Sequence, residues 1–153
     1  MVLLNGRTFL LGYLLKQITI KRQFTFKKEE KLKSRKLIGV LFKQGASFSN
    51  FPFRILYIIS KENITPLQTG FAVSGKHFKN AVDRNRIKRL MREAYRLQKT
   101  TLTETLKSNG KFMAVFFIYT GSEIPGYNDV AEKMQSALKR LNKIADEVIP
   151  SNT

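Results

Sequence analysis

The chain has 153 residues, with 28 Lys and Arg against 11 Asp and Glu, a formal net charge of +17, no cysteine and one histidine. That length suits one domain with a modest core, and a 42% hydrophobic content that includes 12 phenylalanines argues for a folded protein rather than a basic tail. Without cysteine there is no disulfide scaffold or thiolate metal site, and the lone His77 argues against a zinc centre or a histidine-based triad.

In chain order, Thr8–Leu15 is mostly apolar but far shorter than the about 20 residues that span a bilayer. Phe9-Leu10-Leu11 could form a signal core, yet no small-residue cleavage site follows, only the polar and basic stretch Lys16–Arg22. Residues 1–23 therefore read as an extension, disordered or loosely packed, ahead of a domain over 24–148 and a tail over 149–153. A cytoplasmic location and no membrane partner are expected.

Phe24-Thr25-Phe26 alternates like a short extended segment, and Lys27–Ser34 is a charged lead-in. Ser34 can cap a helix that runs to Gln44, with Gly45 as C′. Leu37, Ile38, Leu41 and Phe42 fall at helical spacing within it. Phe53–Ser60 is rich in β-branched and aromatic residues and predicts a strand. Its alternation puts Phe53, Ile55, Tyr57 and Ile59 on one face, and Arg54, Leu56 and Ile58 on the other. Lys61–Pro66 is a turn, and Thr69–Ser74 a second strand that pairs back as a hairpin.

The segment Gly70-x4-Gly75-Lys76 imitates a phosphate loop. His77 stands where Ser or Thr must reach magnesium, and the strand-like Phe71-Ala72-Val73 lies inside the supposed loop. Nucleotide hydrolysis is set aside on that mismatch.

From about Asn80 to Lys99 the pattern is helical, and at about 100° per residue it sorts into two arcs. Ile87, Leu90, Met91, Ala94, Tyr95 and Leu97 fill an apolar arc wide enough to dock on a core. Asn85, Arg86, Lys88, Arg89, Arg92 and Arg96 fill most of the other, with Arg84 at the edge of the apolar arc. Asn80 or Asp83 can cap the N-terminus. A charge run is usually a solvated face, but such faces mix signs for i,i+4 support. Here Glu93 is the lone acid among six bases between Arg84 and Arg96. Residues 1–99 hold 22 of the 28 bases and 5 of the 11 acids, so the positive field is one-sided along the chain. That points to a polyanion such as nucleic acid.

Thr100–Gly110 reads as a helical continuation ending in a Ser108-Asn109-Gly110 turn. Phe112–Tyr119 is a continuous apolar run, the mark of a strand covered on both faces. A loop over Gly121–Tyr127 leads to a last helix, about Asn128–Val148, with Val130, Met134, Ala137, Leu138, Leu141, Ile144 and Ala145 on one stripe. The order helix, strands, helix, strand, helix describes an α+β domain of two layers, a central sheet with flanking helices. No nucleophile, base and oxyanion site assembles anywhere: Glu29-Glu30 and Asp146-Glu147 read as solvated charge, and Asp83 as a cap. Tyr57, Phe42 and Phe26 are candidate platforms for unpaired bases.

Ala81-Val82, Arg84-Asn85-Arg86-Ile87-Lys88-Arg89 and Arg92-Glu93-Ala94-Tyr95-Arg96 closely resemble the signature of the bacterial ribonuclease P protein subunit. The resemblance covers about residues 24–146. It implies a left-handed βαβ crossover and a role in an endoribonuclease, assisting a catalytic RNA that removes the 5′ leader of precursor tRNA. It also implies that the reaction is performed by magnesium ions bound mainly by the RNA, with no catalytic residue in the protein and no further protein partner required. By position, Arg84, Arg86, Lys88, Arg89, Arg92 and Arg96 would contact the catalytic RNA, together with Lys76. Asn85 would lie near the leader and a metal ion shared with the RNA. Phe42 and Tyr57 match aromatics that line the family's leader cleft, and Ile38 stands where Phe is frequent. The family's Ser-Lys-Lys-x-Gly-Asn loop is replaced here by Ser74-Gly75-Lys76-His77-Phe78-Lys79-Asn80, one residue longer. Two other readings stay open: a protein of ribosomal RNA or an RNA chaperone using the same helix, and a membrane-surface protein.

Overall fold

The computed structural model describes residues 25–61 and 65–147. The expectations for residues 1–23, for Phe24 and for the tail lie outside them. Helices α1 (Arg35–Gln44), α2 (Ala81–Gln98), α3 (Thr100–Ser108) and α4 (Tyr127–Glu147) flank strands β1 (Ala46–Asn50), β2 (Phe53–Ser60), β3 (Leu67–Val73) and β4 (Phe112–Tyr119). The α+β reading with a central sheet holds. The sheet order is β1-β2-β4-β3, with β2 antiparallel to β1 and β4, and β3 parallel to β4.

That order corrects the expected hairpin. β2 and β3 do run in opposite directions, but β4 lies between them and pairs with each along its whole length, Phe53↔Tyr119 to Ser60↔Phe112 on one side and Leu67↔Met113 to Val73↔Tyr119 on the other. The physical reason is burial. The uninterrupted apolar run of β4 needs cover on both faces and a neighbour on both edges, whereas β3 carries Gln68 and tolerates an edge. The β3 edge is itself protected: Leu32 N–H donates to Thr69 O at 3.0 Å, and the Gln68 amide donates to Glu29 O at 3.1 Å.

Most of the core lies on one face of the sheet. Phe53, Ile55, Met113, Val115 and Phe117 meet Ile87, Met91 and Tyr95 of α2, Leu102 and Leu106 of α3, and the α4 stripe. Tyr95 is the largest of these side chains, 1% exposed; the Thr69 hydroxyl donates to its oxygen at 2.7 Å, and burial pushes its phenol well above the usual range. The opposite face carries a smaller cluster, Leu32, Leu41 and Leu56, against which Leu37, Ile38, Ile58, Phe116 and Ile118 pack. The two main layers thus carry a partial third, supplied by α1.

The ends of α1 follow from its sequence. The Ser34 hydroxyl accepts from Leu37 N–H at 3.3 Å, as expected of the cap. Gly45 differs from the expected left-handed C′: its φ is −67°. A side chain there would place Cβ 2.3 Å from Leu41 O, so it is close approach that requires glycine. Beyond α2 the helical continuation is a separate helix, α3, which ends at Ser108 and is followed by a turn in which Gly110 has φ +61°.

Two lysines are buried where the termini of elements meet. Lys99, at the α2–α3 junction, donates to Thr25 O at 2.5 Å and pairs with Glu30. Lys111 donates to Ala145 O at 2.5 Å in the last turns of α4, where a cation complements the helix dipole.

Candidate nucleic-acid interface

The α2 arcs separate as their periodicity predicts. Ile87, Met91, Ala94 and Tyr95 are buried and Leu90 half-buried, although Leu97, at the C-terminal end, is 40% exposed. With one side locked in the core, the other is held rigidly outward. Asn85, Arg86, Arg89 and Arg92 are exposed, and Lys88 and Arg96 partly so. Glu93 engages only Arg96, at 2.6 Å, which holds its carboxyl below the usual range. Among the described residues, Arg86, Lys88, Arg89 and Arg92 form no ion pair. Four cations on one rigid surface without acids between them repel one another, and a polyanion relieves that repulsion.

Arg84 behaves differently from the rest of the arc. It is half-buried, and its Nη1 donates to Phe78 O at 2.8 Å and Lys79 O at 2.7 Å. Its place at the edge of the apolar arc explains this: the side chain turns back onto the preceding loop. Neither sequence candidate makes the expected capping bond; Asn80 takes the N-cap position, but its side chain forms none.

The loop from Ser74 to Lys79 is fixed at three points. Ser74 N–H donates to Tyr119 O at 3.0 Å, Arg84 grips the carbonyls, and Phe78 is buried with its ring 6.1 Å from that of Tyr119. Lys76, His77 and Lys79 are left exposed on it. The expected contact residue Lys76 is therefore presented by an anchored loop.

The aromatic candidates do not converge. Phe42, 53% exposed on α1, meets Phe116 edge-on at 5.4 Å, and Ile38 packs beside it on the same side of the sheet. Tyr57 lies on the other side, half-buried against the main core and 6.1 Å from the ring of Phe48. The alternation along β2 is right, but the face that meets α1 is the one bearing Leu56 and Ile58. Asn85 is likewise carried by a helix whose buried side packs on the main core. The structure thus joins Phe42 to Ile38 and separates both from Tyr57. Leu56, Ile58, Phe116 and Ile118 also line the α1 side, and the both-face burial read for Phe112–Tyr119 was the signal for the last two.

Among the described residues no group of three or more His, Asp or Glu side chains could hold a metal ion. Asn85 offers one neutral amide oxygen, far short of the six oxygens of magnesium. The described residues alone do not fit that ion. No helix among the described residues is long and apolar enough to cross a membrane.

A family model described as Ribonuclease P matches residues 26–142. A ribonuclease P protein component from Porphyromonas gingivalis is 34% identical over 119 residues, 77% of this chain and 87% of the relative. The RNase P protein of Staphylococcus aureus superposes with a TM-score of 0.56 at 26% identity, covering 76% of this chain and 94% of that one. The RNase P protein of Thermotoga maritima gives 0.57 at 28% identity, with 72% and 96% covered.

Proposed function

The chain belongs to the bacterial ribonuclease P protein family, and from that premise we propose that it anchors on the catalytic RNA through the basic arc of α2 and steers the 5′ leader of precursor tRNA. It is the protein component of an endoribonuclease. The observation that carries the anchoring role is the outward row Arg86, Lys88, Arg89 and Arg92, without an ion pair among the described residues and braced by a buried arc on the same helix. Arginine forks suit phosphate oxygens, and each phosphate neutralised releases counterions, so affinity comes with little base preference and a steep salt dependence. Arg96 joins the row while bonded to Glu93, and Lys76 extends it on the loop before α2. Arg84 acts on the RNA indirectly, by holding that loop.

The leader would cross the α1 side of the sheet, where Phe42 exposes half its ring beside Ile38 and Phe116. An aromatic there accepts any base. Asn85 would approach the leader from α2, sharing a magnesium ion whose other ligands belong to the RNA. Hydrolysis is assigned to the RNA and its magnesium ions.

Reconstitution tests the proposal. Purified protein with magnesium should leave precursor tRNA intact, and addition of the RNA subunit should produce 5′ processing. Cleavage by RNA-free protein after removal of contaminating nucleases would overturn the division of labour. Sequencing the RNA that co-purifies from the native cell should find one discrete structured species; ribosomal RNA alone would favour the chaperone or ribosomal reading.

A further inference from the structure

Beside the basic arc, where the segment Thr25–Lys31 crosses α2, lies a shallow basin of about 730 Å³. That is within the about 300–1,000 Å³ of small-ligand clefts. Its floor is apolar, made by Phe26, Leu90 and Tyr127. Its rim is cationic, with Lys31, Arg89 and Arg92, while the Arg96–Glu93 pair closes one side.

The floor residues differ in what they can do. Phe26 meets the rings of Tyr95 and Phe71 edge-on at 5.6 and 6.1 Å, and the ammonium groups of Lys31 and Lys99 each lie 5.8 Å from its centroid. It is a fixed wall with its π-system already engaged. Tyr127, the first residue of α4, is 37% exposed and is the aromatic left to receive a ligand. Arg89 and Arg92 are exposed and form no ion pair among the described residues.

A free phosphate has no use for the apolar floor, and an uncharged apolar ligand has none for the rim. A stacked duplex cannot lower a base into the basin. An unpaired nucleotide uses both parts, stacking its base and neutralising its phosphates. We propose that the basin takes one unpaired nucleotide of the ribonuclease P RNA, its base against Tyr127 and Leu90 and its phosphates on Arg89, Arg92 and Lys31. This rests on the reading that the chain anchors on that RNA, and it adds a site where one base leaves the RNA's stacking.

The test uses the full chain and a transcript of the RNA subunit from the same organism. Tyr127→Ala should weaken RNA binding about 5- to 150-fold, the range for one stacked base. The thermal midpoint and the salt slope should stay those of the original chain, because no phosphate contact is lost. Tyr127→Phe should restore the affinity, since the ring is retained. With p-benzoylphenylalanine in place of Tyr127, irradiation should cross-link the protein to one unpaired nucleotide. Undiminished binding by Tyr127→Ala would overturn the inference and leave the anchoring role intact. Cross-linking only within the chain, as when residues 1–24 fill the basin, would also overturn it. Failure of the original chain to bind the transcript would overturn the anchoring reading itself.

Discussion

The two faces of the sheet are built to different degrees of closure. On one, α2, α3 and α4 bury Phe53, Ile55, Met113, Val115 and Phe117 to 1% exposure or less. On the other, the ten-residue α1 buries Leu41 and Leu56 but leaves Ile58, Phe116 and Ile118 half-covered and Phe42 largely in solvent. The closed face has the apolar burial to hold the fold and to brace the basic arc. The open face keeps apolar and aromatic surface within reach of solvent, which is what a binding surface needs.

The unequal closure of the two faces should show its largest effect in stability. Phe117→Ala should cost about 3–5 kcal/mol in urea unfolding, as for a large buried aromatic, whereas Phe42→Ala should cost under about 1 kcal/mol. Similar losses for both would erase the distinction between the faces. Tyr57→Ala sharpens it further. Half-buried on the closed face, Tyr57 should cost about 1–3 kcal/mol when truncated and leave discrimination between precursor and mature tRNA unchanged. A selective loss of leader binding would move Tyr57 to the open side.

Within α2 the contrast is between Arg89 and Arg84. Arg89→Ala should lower the salt slope of RNA binding by about 0.7–0.9, one phosphate contact. Arg84→Ala should instead raise amide hydrogen exchange in residues 75–80 as their clasp is lost. Equal slope losses with no change in exchange would make Arg84 an ordinary member of the arc. The smallest expected effect is a gain: Glu93→Gln removes the only acid of the arc and releases Arg96 from it, so low-salt titration should show about twofold tighter binding.

How far the sequence reaches is visible element by element. The arcs of α2 were legible because 18 helical residues repeat one pattern around a single acid. β2 and β4 were legible from dense apolar runs, and their bounds hold. β1, Ala46-Ser47-Phe48-Ser49-Asn50, was not, because an edge strand with one buried residue carries little apolar signal. The neighbour of β3 was hidden since adjacency in a sheet is a tertiary choice; direction follows from chain reversal, but insertion of β4 does not. Tyr57 shows the same limit on a smaller scale. Alternation divides a strand into two faces, but when both are apolar it does not say which one meets which helix. The role of Arg84 needed the loop's carbonyls in space, and the basin at Tyr127 unites residues about a hundred positions apart.

One measurement separates an open face that receives the leader from an α2 arc that holds the RNA. Holoenzyme reconstituted with Phe42→Ala should bind precursor tRNA about 5- to 150-fold more weakly, the range for one stacked base, while its affinity for mature tRNA and its assembly with the RNA subunit stay unchanged. Equal weakening for both tRNA forms, or undiminished binding of the precursor, would contradict the assignment of the leader to the α1 face.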